Sequence, residues 1–247
     1  MENSGSPHII EETADYAVVF KPPQMHSAPL KKKEGGALLE WYADNSPPVY
    51  DIMHRLDFET HGLVLFAKNS KSYEYFKTLQ DCGGFVKEYS ALCAEAANSV
   101  PIEGFPPPPD FAACEPSPEK PQIIESYFRP YGPGRKLVRP VIEDGKKHRE
   151  VAADNGGFYR TEIISRDGNV FTLRIKRGFR HQIRCHLSWI GFPILNDPLY
   201  SRAEDGTTPR ADEAVQDTLA LRAHALFFND PSSGRPRECR IAPLGLF

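Results

Sequence analysis

A chain of 247 residues, 40% hydrophobic and 26% charged, can bury one sizeable core and differs in composition from disordered, fibrous and membrane-spanning sequences. Its longest apolar runs, GLVLFA and HALFF, are too short to cross a bilayer, and the start MENSGSPH lacks the basic and apolar regions of a secretory leader. A cytoplasmic protein with no membrane partner is therefore expected, and five scattered cysteines without a CxxC pair suggest free thiols rather than disulfides or zinc. The formal net charge of −3 argues by itself against a nucleic-acid partner, but the basic residues are clustered. Arg174, Lys176, Arg177, Arg180 and Arg184 fall within eleven positions, and Lys146, Lys147, His148 and Arg149 form a second run. Each run reads equally well as a solvated face or as a patch for an anionic partner.

In chain order, DYAVVF at 15–20 has strand composition and is stopped by Pro22 and Pro23. A short helix is predicted over 36–43. The stretch DIMHRLDFETHG has no clean period and enters GLVLFAK, a buried strand, so HRLD at 54–57 lies on a loop. Asn69 offers an N-cap to a helix over 70–81, with Tyr73, Phe76 and Leu79 at helical spacing and Gly83 and Gly84 ending it. The strand VKEYSALCAE follows. Residues 101–121 hold four consecutive prolines, Pro106 to Pro109, and read as an irregular insertion. Strands are predicted at 123–128, 159–164 and 170–176, the last two as a hairpin turned at Asp167 and Gly168. From 180 to 190, Ile183, Leu187 and Ile190 form one apolar helix face, which turns Arg184 elsewhere. A final strand spans 219–228. The expected class is α+β, a mainly antiparallel mixed sheet with flanking helices.

Three clusters carry possible chemistry. In HRLDFETHGLVLFAK, Arg55 and Asp57 sit two apart in a loop entering a core strand; Asp57 could be a nucleophile, a general acid or base, or half of a structural ion pair. Ion pairing is the commonest of these. In GFRHQIRCHL, Arg184 is drawn towards the core by Ile183 and Leu187, so a partner carboxylate is required. His181 and His186 lack both the spacing of a helical metal pair and an evident third ligand, so no metal is expected. In KEYSALC, Tyr89 shares a strand face with Lys87 and is otherwise an ordinary half-buried packing residue.

In this order, HRLD at 54–57, KEY at 87–89 and GFRHQIRCHL at 178–187 resemble the RluA-type pseudouridine synthase family. IIEETADYAVVFKPP looks like its first strand with a lysine and proline, and GFPILNDPLY and RAHALFFNDPSSG look like its stretches after the helix and at the closing strand. The resemblance covers residues 9–236 and leaves 98–122 and 140–158 without a matching motif. It implies the pseudouridine synthase catalytic fold and isomerisation of uridine to pseudouridine in structured RNA, ribosomal or transfer, without cofactor or metal. Asp57 takes the place of the nucleophile, Arg184 that of the arginine paired with it, and Tyr89 that of the tyrosine against the target base. Substrate contacts are implied for Arg55, Arg180, His181, Gln182 and Leu226, with Leu226 closing the pocket and Arg55 filling the vacated stack or holding a phosphate. The resemblance does not choose between attack on the base and attack on ribose C1′.

The physical chemistry agrees with those roles. A neighbouring guanidinium keeps a carboxylate ionised and aimed. A base flipped from its stack at a cost of a few kcal/mol regains about 1–3 kcal/mol on an aromatic ring. His61 stands where the family has a small serine, and Phe179 and Arg180 replace its usual arginine and threonine, which affects RNA contacts rather than the chemistry. One catalytic domain over 1–247 is expected, monomeric, with the insertion near 101–121 and no separate N-terminal RNA-binding domain. The other readings are a catalytically inactive RNA-binding protein of the same fold, favoured by the acidic balance, and a hydrolase with an aspartate nucleophile, which leaves the tyrosine and arginine motifs unexplained.

Overall fold

The computed structural model describes residues 5–30, 35–94, 102–110, 115–142, 157–201 and 218–244. The basic run at 146–149 lies outside them. The chain gathers into two compact units, Met1–Tyr89 with Arg222–Pro243, and Ser90–Leu221 with Leu244–Phe247. Strands dominate both, and helices are few, as the α+β reading expects.

In the first unit the strand order is β1 (His8–Glu12), β2 (Tyr16–Lys21), β4 (His61–Ala67), β10 (Leu221–Asn229), β5 (Val86–Leu92). A two-residue β3 (Asp51–Ile52) pairs with β4, and β11 (Pro236–Arg240) pairs with β10. The pairings of β2, β3 and β1 are antiparallel, whereas β10 runs parallel to β4. Every residue of β2 and β4 is buried, which their unbroken apolar runs dictate: a strand covered on both faces needs no polar alternation. Tyr16, Phe20, Leu63, Leu65, Phe76 and Phe228 form the heart of this core.

Helix α1 (Leu38–Asn45) buries Leu38 and Tyr42. Helix α2 (Ser70–Asp81) begins as the sequence predicts, with the Asn69 side chain accepting from the Ser72 amide at 2.9 Å, and ends at Gly83, whose φ is +75°. Gly62 is required where β4 meets β10: its φ is +125°, and a Cβ there would lie 2.2 Å from the carbonyl oxygen of Ala223.

In the second unit the order is β9 (Val170–Ile175), β8 (Tyr159–Asp167), β6 (Gln122–Tyr131), β7 (Leu137–Val141), all antiparallel. The predicted β8–β9 hairpin is present, Asp167 facing Val170 across a turn in which Gly168 has φ +55°. Phe128, Val138, Tyr159, Cys185 and Tyr200 form the core. The described residues of the proline-rich insertion contain no helix or strand, yet they are fastened down. Ile102 and Phe105 pack on that core, Trp189 donates to the Pro106 carbonyl at 2.8 Å, and Tyr131 donates to the Glu103 carbonyl at 2.7 Å.

Strands β1, β3, β7 and β11 were not predicted from periodicity. In β11 only Cys239 is buried, so alternation is invisible, and β7 contains Pro140, which it tolerates because it is an edge strand. Helix α3 (Gln182–Trp189) also departs from the one-faced expectation, since all eight residues are buried. Its polar face is internal and satisfied. His186 hydrogen-bonds Thr161 at 2.8 Å and Ser126 at 3.0 Å, and Ser188 donates to the Tyr200 carbonyl at 2.9 Å.

Candidate active site

Asp57 lies in the first unit, on the loop between β3 and β4, and several side chains fix that loop. Ser27 Oγ donates to the Leu56 carbonyl and accepts from the Leu56 amide, both at 2.9 Å. His54 Nε2 accepts from the Leu65 amide at 3.2 Å, and the Thr60 amide donates to the Asp57 carbonyl at 3.1 Å. Lys21, at the end of β2 and wholly buried, donates to the carbonyls of Pro22 at 3.0 Å, Met25 at 2.7 Å and Phe58 at 3.3 Å. One ammonium thus ties the segment after β2 to the residue next to Asp57. Burial pushes its pKa down to about 7, against the opposing pull of Asp57 and Glu59. Asp57 is half-buried, while Arg55 and Phe58 on either side of it are exposed.

Tyr89, in β5, is 5% exposed. Its pKa is raised, first by burial and then by the Asp57 carboxylate. Tyr89 therefore stays protonated at neutral pH, with an O–H to donate and a ring to pack. Glu88, next to it, accepts from His224 and from Arg240, each at 3.0 Å, so the buried carboxylate of this strand is compensated. Lys87 is buried with its ammonium 4.8 Å from the centre of the Phe85 ring, and burial lowers its pKa to about 7.

Arg184, Arg180, His181 and Gln182 belong to the second unit. Arg184 and Asp197 are 3% and 0% exposed and meet fork to fork: Nε donates to Oδ2 and Nη2 to Oδ1, both at 2.7 Å. The carboxylate that burial of Arg184 demands is thus found within its own unit. Asp197 Oδ1 also accepts the amides of Leu199 at 2.9 Å and Tyr200 at 3.1 Å. Those bonds fix Asp197, and the fork then fixes the guanidinium over the Tyr200 ring, 5.5 Å from its centre. The motif GFPILNDPLY contained Asp197 without distinguishing it, and its signal was the need of Arg184 for a partner.

His181 opens α3 in the left-handed region, φ +57°, and its Nδ1 lies 3.2 Å from the Tyr200 hydroxyl. Burial, with Arg184 and Arg180, pushes its pKa down to about 3, so the ring is neutral. Arg180 is exposed and donates to the carbonyls of Arg135 at 2.9 Å and Leu137 at 3.3 Å. Two residues to which the resemblance gives substrate contacts, Gln182 and Leu226, are buried. Gln182 is 2% exposed and spends its amide on the Arg160 carbonyl, Thr161 and the Phe179 amide, which anchors α3 to β8. Leu226 is fully buried in the core of the first unit. His61, the departure in the HRLD segment, is buried with its pKa pushed down to about 3, first by burial and then by Arg222 and Lys21.

Comparison with known proteins gives this mixed sheet, with Asp57 on its braced loop, a family. Residues 15–189 match the family described as RNA pseudouridylate synthase, and the chain belongs to that family. It is 27% identical over 205 residues to the ribosomal large subunit pseudouridine synthase D of Buchnera aphidicola, covering 80% of this chain and 55% of that protein. It is 29% identical over 199 residues to the mitochondrial tRNA pseudouridine(32) synthase of Saccharomyces cerevisiae, covering 79% of this chain and 37% of that protein. The chain spans about half the length of such relatives, between 37% and 55% for these two. Its fold is that of human RNA pseudouridylate synthase domain containing 1, with a TM-score of 0.64 at 18% identity over 98% of this chain and 85% of that one.

Proposed function

We propose that this chain isomerises uridine to pseudouridine in structured RNA, ribosomal or transfer, with Asp57 as its nucleophile. The observation that carries the reading is the family match over residues 15–189, which spans Asp57 on a loop braced by Lys21 and the buried Tyr89 of the same unit. The carboxylate attacks the target nucleotide, the bond between N1 and C1′ breaks, the base turns so that C5 bonds to C1′, and the bond to Asp57 breaks to return the free carboxylate. The C5 proton leaves and N1 gains one, so the reaction balances without oxidant, reductant or added group. The Tyr89 ring packs against the flipped base, offsetting its unstacking, and its hydroxyl can pass a proton. The resemblance also gives Arg184 a role at the nucleophile, and within its own unit that guanidinium is held by Asp197.

Because C5 exchanges its hydrogen for a carbon bond, RNA labelled with tritium at uridine C5 should release label to water with the wild-type protein and none with D57N. Y89F should release it at a rate reduced by about tenfold or more, the scale of a lost proton-transfer or stacking contact. Equal release by D57N would end the proposal. The acidic net charge of −3 favours a second reading, a silent RNA-binding protein, which predicts RNA retention with no release by any version.

A further inference from the structure

The loop that carries Asp57 also carries a large apolar ring that the core does not use. Phe58, next in sequence, is 40% exposed, whereas the aromatic residues Phe66, Phe76 and Phe85 that follow are fully buried. The ring is nevertheless held. His26 lies against it, ring centres 4.6 Å apart at 41°, and the Phe58 carbonyl is gripped by the buried Lys21 ammonium at 3.3 Å. His26 is itself fastened, since its carbonyl accepts the Leu38 amide at 2.8 Å at the start of α1. An exposed aromatic ring backed by a second ring on an immobilised backbone is a preformed stacking surface: its entropy is already spent and its hydration is poor. Arg55, exposed three residues earlier, brings a cation to the same loop.

We propose that Phe58, backed by His26, is a stacking subsite for the base of a nucleotide flanking the target uridine. This rests on the assignment of Asp57 as nucleophile, because adjacency to Asp57 makes the ligand a neighbour in the same RNA strand. Flipping one base out leaves the faces of its neighbours uncovered, and any base offers a π face to an aromatic ring regardless of sequence. Phe58 therefore acts on binding, and Asp57 on chemistry.

The experiment compares F58A, F58L and F58W in steady-state tritium release from a uridine-labelled RNA. F58A is expected to raise KM about tenfold, the scale of one lost stacked base, with a much smaller change in kcat. F58L, apolar but without a π face, should resemble F58A, and F58W should match or better the wild type. A KM unchanged in F58A, or restored by F58L, overturns the proposal. An independent arm uses no catalysis: F58W is titrated with a short single-stranded RNA, and quenching beyond that of the wild-type tryptophans is expected. If the wild type releases no label, the functional reading fails, and this titration still decides the stacking site, absence of extra quenching counting against it.

Discussion

Replacing Asp197 by alanine strikes the most deeply buried ion pair described in the second unit. Arg184 is 3% exposed, so D197A removes the fork partner of a buried guanidinium, a change that costs about 3–5 kcal/mol where such pairs are broken. The amides of Leu199 and Tyr200 lose their acceptor as well, adding on the order of 1 kcal/mol. D197N keeps an oxygen for those amides and should fall between the two proteins. The paired replacement R184M/D197L removes both charges and should recover a large part of the loss, because two compatible apolar side chains need no partner. Urea unfolding in a W41F background reads this directly, since Trp189 lies on the same helix as Arg184 and the chain has only two tryptophans. A loss under about 1 kcal/mol for D197A, or a double variant no more stable than the two single losses added together, would refute the reasoning.

Gly62 admits no side chain, so G62A should lose roughly 3 kcal/mol or more from a Cβ 2.2 Å from the Ala223 carbonyl and a φ of +125°; an unchanged urea midpoint would contradict this. His61 and His186 are held neutral in the fold with pKa values pushed down to about 3. Above about pH 6.5 their contribution to stability is fully present, and as pH falls the unfolded chain takes up protons that the fold refuses. Each histidine removes about 1.4 kcal/mol per pH unit in that range. A melting temperature flat from pH 7 to 5 would count against both. Lys21 acts at the other end: between about pH 7 and 10.5 the fold has released a proton that the unfolded chain keeps, so stability rises with pH. The advantage of wild type over K21M should therefore grow from pH 6 to pH 9, and parallel pH profiles would contradict the burial of that ammonium.

What could be read from the sequence follows what each element buries. Helix α2, with Asn69 before it and Gly83 after it, and the β8–β9 hairpin were legible because their signals are local. Strands β7 and β11 were not, since an edge strand with a proline and a strand with one inward residue have no period to detect. Helix α3 misled in a different way: apolar spacing located it and drew Arg184 towards the core, but only tertiary partners could reveal that His186 and Ser188 face inward as well. Among the candidate site residues, Asp57 and Tyr89 of the first unit and Arg184 of the second came from motif order. Lys21, Asp197 and Phe58 came from geometry, because a buried lysine, a partner carboxylate and an exposed ring are defined by surroundings that spacing does not encode.

The central claim is that Asp57 converts uridine to pseudouridine in RNA. Pseudouridine mapped chemically across the RNA of cells lacking this gene, then complemented with the wild type or with D57N, tests it most directly. At least one position should lose its modification on deletion, regain it with the wild type and stay unmodified with D57N. An RNA population unchanged by deletion, or a position restored equally by D57N, would contradict the claim.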